Sequence, residues 1–209
     1  MIDTVAVIPL KPFLRAKTRL GFDAATRTRL AQAFAADVLS ACRDCPQIGE
    51  VLVVGALPAG LQARHVDDPG RGLNEALMAA TAGLSPETPV LAVMGDLPCL
   101  RSADLTALLS SCWEQSGGPD VGAMVTDAAG TGTTCVWSLR GRFHPQFGLR
   151  SRARHRADGL VELSGIELHR ARRDVDSVAD LADALRIGVG PATTAAAVEL
   201  GLLFGPGRR

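Results

Sequence analysis

The stretch PVLAVMGDLP, residues 89–98, decides the fold. Pro89–Met94 are apolar throughout, without the in–out alternation of a strand that has one wet face. A short run of this kind, closed by a turn signal, reads as a strand buried on both faces in a parallel sheet. It stops at Gly95 and Asp96, which places a carboxylate just past the end of a buried strand.

Working outward, the same unit recurs. Val5–Leu10 reads as a buried strand, and a helix follows from about Ala24 to Cys42. Leu30, Phe34, Val38 and Cys42 recur four apart, on one helix face, and Asp23 is a suitable N-cap. Glu50–Val54 is a second short strand, and Gly70–Asn74 leads into a helix through Ala82. Ser102 starts a helix to about Trp113, with Leu105, Leu108, Leu109 and Cys112 on one side. Strand–helix alternation predicts an α/β fold: a three-layer α/β/α domain around a mostly parallel sheet. After Pro119 the pattern changes. Val121–Thr126 and Thr133–Trp137 read as a hairpin or small antiparallel addition. Residues 140–159 hold six arginines and one acid, Asp158, and read as a functional loop. Asp174–Ser177 opens a helix through Arg186, with Ser177 as N-cap, and Pro191–Leu200 is a last short helix. No linker or repeat divides the chain, so residues 1–204 are expected to form one domain, with 205–209 a disordered tail.

Composition excludes several classes. The chain has 209 residues and a formal net charge of zero, so a basic nucleic-acid footprint is not expected. Aromatics make up only 4%, too few to supply stacking platforms for single strands. No apolar run is long enough for a membrane span, and the N-terminus lacks a signal-peptide pattern, so a soluble cytoplasmic protein is expected. The five cysteines are odd in number and scattered, which argues against a disulfide framework. Cys42 and Cys45 have redox-motif spacing but close a helix rather than open one, and are expected to be one half-buried thiol and one loop thiol.

Four constellations carry candidate chemistry. LKPFLRAKTRL, residues 10–20, contains both lysines of a chain that otherwise uses only arginine. It follows the first strand, at the edge where open α/β sheets bind ligands, so Lys11, Arg15, Lys17 and Arg19 are placed to hold phosphates. Asp96 is placed to hold Mg²⁺ beside such phosphates. In Asp174-Val175-Asp176, alternate residues of an extended segment point the same way, so both carboxylates can face one ion. The fourth is Gly130-Thr131-Gly132-Thr133 with Phe147–Ser151 and His155, where glycines and hydroxyls allow close approach of an anion, surrounded by Arg150, Arg152, Arg154 and Arg156. There is no Walker loop and no nucleophile elbow around Ser151. The whole suits nucleotidyl transfer. A nucleotide-sugar glycosyltransferase of the same fold, or a non-catalytic nucleotide-binding module, are the alternatives.

The order LKPFLRAKTRL, DPGRGLNEAL, GDLP, GTGT, HPQFGLRSRARH and DVDSVADL resembles the 2-phospho-L-lactate and phosphoenolpyruvate guanylyltransferases of deazaflavin coenzyme F-420 biosynthesis. The resemblance implies a fold related to molybdenum-cofactor guanylyltransferases. It also implies transfer of GMP from GTP to a three-carbon phosphoacid, with Mg²⁺ and release of pyrophosphate. Lys11, Lys17 and Arg19 would contact the GTP phosphates, and Gly72, Leu73 and Asn74 the nucleoside. Asp96 with Asp174 or Asp176 would hold Mg²⁺, and turnover would depend on Lys17 and Asp96. Thr133, Gly148 and Ser151 would bind the phosphoacid, with His155 assisting. Cys99 and Thr134 depart from the family's pattern, so the acceptor stays open among phosphoenolpyruvate, 2-phospho-L-lactate and 3-phosphoglycerate. Hand-over of the product to a downstream transferase is implied, and a homodimer is compatible with the resemblance.

Overall fold

The computed structural model describes residues 3–13, 17–58, 60–61, 63–115 and 121–203. Arg15 and the expected tail, 205–209, lie outside the described residues. Seven strands form one sheet: β1 (Thr4–Leu10), β2 (Ile48–Gly55), β3 (Arg64–Val66), β4 (Pro89–Val93), β5 (Ala123–Thr126), β6 (Thr133–Leu139) and β7 (Val161–Glu162). Their order is β3-β2-β1-β4-β6-β5-β7. β1 pairs in parallel with β2 and β4, β2 with β3, and β5 with β7, whereas β6 is antiparallel to both β4 and β5. The expected hairpin is present as the antiparallel β5–β6 pair. β6 is one reversed strand set between β4 and β5.

The central strands are buried on both faces, as their continuous apolar sequence requires. On β1, Ala6, Ile8 and Leu10 face one layer and Val5 and Val7 the other. β4 does the same with Leu91 and Val93 against Val90 and Ala92. The first layer is α1 (Ala24–Arg43) and α3 (Ser102–Gln115), through Val38, Leu39, Cys42, Leu105 and Leu108. α2 (Leu73–Thr81) covers the second face through Ala76 and Leu77, with Phe143 and Phe147 beside it. Leu30 and Phe34 of α1 pack with Leu181 and Ala184 of α5 (Val178–Ile187). α1 also anchors α6 (Pro191–Glu199): the buried Asp37 carboxylate accepts from the N–H groups of Ala192 and Thr193, both at 2.9 Å.

Several expected caps and turns are present. Asp23 accepts from the Thr26 N–H at 3.0 Å, and Ser177 with Asp180 forms a reciprocal capping box on α5. The region expected as a loop departs from that expectation, because Ser151–Ala157 is a helix, α4. Its arginines mask the helical period. Cys45, expected as a loop thiol, and Cys42, expected half-buried, are both fully buried. Burial, the largest factor, drives the Cys42 thiol far above its usual range, so it is not an ionised, reactive cysteine.

Candidate active site

β1 has β2 on one side and β4 on the other, so the strand order reverses at the β1–β4 junction. Ligands of open α/β sheets bind beyond the carboxyl ends of the strands at such a switch point. Both ends carry the residues in question: β1 runs into Lys11, and β4 into Met94, Gly95 and Asp96. Glycine suits this position, because a Cβ would meet a methyl of Leu10, which would have to shift. A cavity of about 570 Å³ opens at this edge, lined among others by Lys11, Lys17, Arg19, Leu73, Asp96 and Asp176. Its size is that of an ordinary small-molecule site.

The DVD segment reaches the site by pairing with the GDLP turn. The Val175 N–H donates to the Asp96 carbonyl at 3.1 Å, and Val175 is fully buried. Asp174 and Asp176, on the other side of the extended segment, are therefore set beside Asp96. Lys17 enters between them. Its Nζ donates to Asp96 Oδ2 at 2.5 Å and to Asp176 Oδ1 at 2.8 Å. The Lys17 side chain is only 9% exposed. Burial works against the ammonium, but the Asp96 and Asp176 carboxylates outweigh it and hold the Lys17 pKa above its usual value. Lys17 itself sits in the left-handed region, at φ 56°, which a non-glycine residue adopts at a cost of about 1 kcal/mol.

The carboxylates still exceed the positive charge among them. Burial, then the charges of Asp96, Asp176 and Asp127, push the Asp174 carboxyl up to about 7. The Asp96 Oδ1 atom is buried and has no partner. A hard divalent cation fits this donor set, which is all oxygen, short of positive charge, and holds one unmet acceptor. Among the described residues, no three His, Cys, Asp or Glu side chains are gathered closely enough to cage a metal by themselves.

Of the residues expected to bind the acceptor, the structure brings some together and directs others elsewhere. Gly148 lines the cavity at φ 113°. Thr133 and His155 are in contact, with Oγ1 and Nδ1 3.0 Å apart, and Ser151 and His155 are buried one helical turn apart on α4. They share the inward side of this helix. Burial, foremost, and the nearby Arg154 lower the His155 pKa to about 4, so the ring is neutral at physiological pH. The Gly130–Thr133 loop does not offer its amides to an anion. Asp127 takes the N–H groups of Thr131 and Gly132, at 2.9 and 2.7 Å. An aspartate four residues upstream is the turn signal that marks this in sequence.

Two of the surrounding arginines are structural. Arg152 binds Glu162 at 2.9 Å and the Gly130 carbonyl at 3.0 Å, and Arg154 donates to the Phe147 carbonyl at 3.0 Å. Arg150 and Arg156 are exposed. Asn74, expected beside the nucleoside, holds the Phe147 backbone: its Oδ1 accepts from the Phe147 N–H at 2.8 Å and its Nδ2 donates to the Phe147 carbonyl at 3.2 Å. Gly72 caps α2 at φ 100°, and Leu73 lines the cavity. Thr134 and Cys99 serve packing. The Thr134 hydroxyl donates to the Ala171 carbonyl at 2.7 Å, and Cys99 Sγ donates to the Ala184 carbonyl at 3.5 Å.

A switch-point cavity that combines lysines with surplus carboxylates defines a class of protein, the α/β nucleotide-handling transferases. Comparison supports the fold: 4-diphosphocytidyl-2C-methyl-D-erythritol synthase superimposes with a TM-score of 0.58 at 14% identity, over 90% of this chain and 99% of that one. The particular family is also shown. The guanylyl transferase CofC-like family matches residues 4–155, and the chain belongs to it. It is 42% identical to a phosphoenolpyruvate guanylyltransferase of Streptomyces coelicolor, over 93% of this chain and 95% of the relative. A protein of the same name from Streptomyces avermitilis is 43% identical, over 96% of each chain. The protein is therefore a guanylyltransferase-type enzyme.

Proposed function

We propose that the chain transfers GMP from GTP to the phosphate of phosphoenolpyruvate, releasing pyrophosphate. An acceptor phosphate oxygen attacks the α-phosphorus of GTP, a new P–O bond forms, and the bond to the β-phosphate oxygen breaks. The electron pair of that bond leaves with pyrophosphate. The acceptor is largely a dianion at neutral pH, so no strong general base is needed. The obstacle is anion–anion repulsion, which charge neutralisation and positioning overcome.

Lys17 is the observation that carries this reading. Its ammonium stands between Asp96 and Asp176, in a cavity shared with Lys11 and Arg19. Lys11, Lys17 and Arg19 hold the triphosphate, with Gly72 and Leu73 on the nucleoside side. Asp96, with Asp174 or Asp176, would hold Mg²⁺, which supplies charge neutralisation on the phosphates when bound. Thr133, Gly148 and Ser151 take the acceptor.

The relatives' names favour phosphoenolpyruvate over 2-phospho-L-lactate and 3-phosphoglycerate. Residues 1–204 act as one catalytic unit in the cytoplasm, and the activated product passes to a downstream transferase of deazaflavin coenzyme F-420 synthesis. Purified enzyme with Mg²⁺ and GTP, offered each acid in turn, tests the reading by pyrophosphate release, with the downstream transferase and its deazaflavin present to trap the product. Phosphoenolpyruvate should be used at least ten-fold better than the other two, about 1.4 kcal/mol of transition-state discrimination. Equal use of all three, or of none, contradicts it.

A further inference from the structure

Proton positions can be assigned along one buried chain on the acceptor side of the cleft. His155 is fully buried, with its ring edge-on to Phe147 at a centroid distance of 5.2 Å. The Gln146 N–H points at His155 Nε2 from 2.8 Å. A backbone N–H can only donate, so Nε2 must be the bare nitrogen, and the neutral ring carries its proton on Nδ1. Nδ1 lies 3.0 Å from Thr133 Oγ1. The ring therefore donates to the hydroxyl oxygen, which keeps its own proton free to give.

Thr133 is a buried residue at a strand end near the cavity. It opens β6, and the next residue, Thr134, accepts from the Met94 N–H at 3.0 Å, beside the Met94–Asp96 wall of the cavity. His155 has no role left as an acid or base, because both ring nitrogens are engaged. Gln146 and Phe147 are themselves fixed, by His155 on one peptide and by Asn74 and Arg154 on the next. The tautomer is thus set by backbone that has no freedom to turn away.

We propose that His155 is a positioning residue that commits the Thr133 hydroxyl to donate, so that Thr133 binds an acceptor-only oxygen, a carboxylate or phosphate oxygen of the phosphoacid. This rests on the reading of Thr133 as part of the acceptor pocket. Without the imidazole, the hydroxyl is free to turn its proton into the protein and present a lone pair to an anion.

The test has two arms. In the first, ring-¹⁵N NMR of the intact protein at neutral pH should show His155 protonated on Nδ1 and bare on Nε2. The opposite tautomer, or a doubly protonated ring, overturns the proposal. In the second, Thr133→Val and His155→Phe should each raise KM for the phosphoacid by roughly 10- to 100-fold, the worth of one hydrogen bond to a charged group. KM for GTP should be unchanged, and the double variant should be no worse than either single one. His155→Asn keeps a donor near the Nδ1 position and should recover most of the loss, which also covers a failure of His155→Phe to fold. An unaltered phosphoacid KM in Thr133→Val refutes the pocket reading itself. A large effect in Thr133→Val with none from His155, or with multiplying effects in the double variant, refutes the positioning role alone.

Discussion

Replacing Lys17 by alanine removes the one ammonium shared by Asp96 and Asp176. Its contact with Asp96 is mostly buried and charged on both sides, and such hydrogen bonds contribute about 1.5–3 kcal/mol. The contact with Asp176 adds little, because that carboxylate is 54% exposed and water replaces the lysine. A loss of roughly 2 kcal/mol lowers the unfolding temperature of a chain this size by about 4–8 °C. Added Mg²⁺ should restore part of that loss, and more in the variant than in the wild type, since a divalent ion can stand in for the missing charge. Turnover should fall about 10²- to 10³-fold, the cost of removing one preorganised contact to a reacting phosphate. Lys17→Arg keeps the charge but replaces a compact ammonium with a planar fork, so stability should survive better than activity. Thermal unfolding in EDTA and in Mg²⁺, with steady-state kinetics, reads all of this. A Lys17→Ala protein with wild-type unfolding temperature and turnover would show that Lys17 holds neither the carboxylates nor the phosphates.

Further outcomes follow from other contacts. On the role proposed for its carboxylate at the phosphates, Asp96→Asn should lose about 10³-fold in turnover, with circular dichroism unchanged and the unfolding temperature lowered by loss of the Lys17 ion pair. Gly95→Ala should lower stability by about 1–3 kcal/mol in denaturant melts, since the new methyl meets Leu10. Asn74→Ala should raise KM for the phosphoacid as well as for GTP, because it frees the Phe147 peptide ahead of Gly148; an effect confined to GTP would show that Asn74 acts on the nucleotide alone. Acid titration should expose His155: the unfolded chain takes up the proton near its ordinary 6.5 and the folded chain only near about 4. Stability should therefore fall as pH drops through that window, by up to ~3 kcal/mol, and His155→Phe should flatten that part of the pH curve.

How much of this was legible in sequence differs between elements for physical reasons. β1 and β4 are continuous apolar runs ended by a turn, and such runs have few alternatives to a doubly buried strand. The alternation in Asp174-Val175-Asp176 likewise predicted a shared side, and the backbone bond from Val175 to Asp96 turns it into a site. β3 and β7 escaped notice because three- and two-residue strands have no period to detect. α4 escaped because four of its seven residues are basic and only Ser151 and His155 face inward. Residue type also misled where the partner was distant. Asn74 follows the cavity-lining Leu73, yet its amide is spent on Phe147, 73 positions away. Thr134 and Cys99 look like acceptor-pocket departures, but strand alternation and packing turn them towards Ala171 and Ala184.

In the proposed reaction the acceptor's phosphate attacks the α-phosphorus of GTP. Parallel reactions with phosphoenolpyruvate and GTP labelled at either the α- or the γ-phosphate test it directly, with the products separated before the activated compound decays. The account predicts that the α label moves into the phosphoacid product while the γ label appears in pyrophosphate, one for one. Label from the γ-phosphate in the phosphoacid, or α label remaining in GDP, would contradict it.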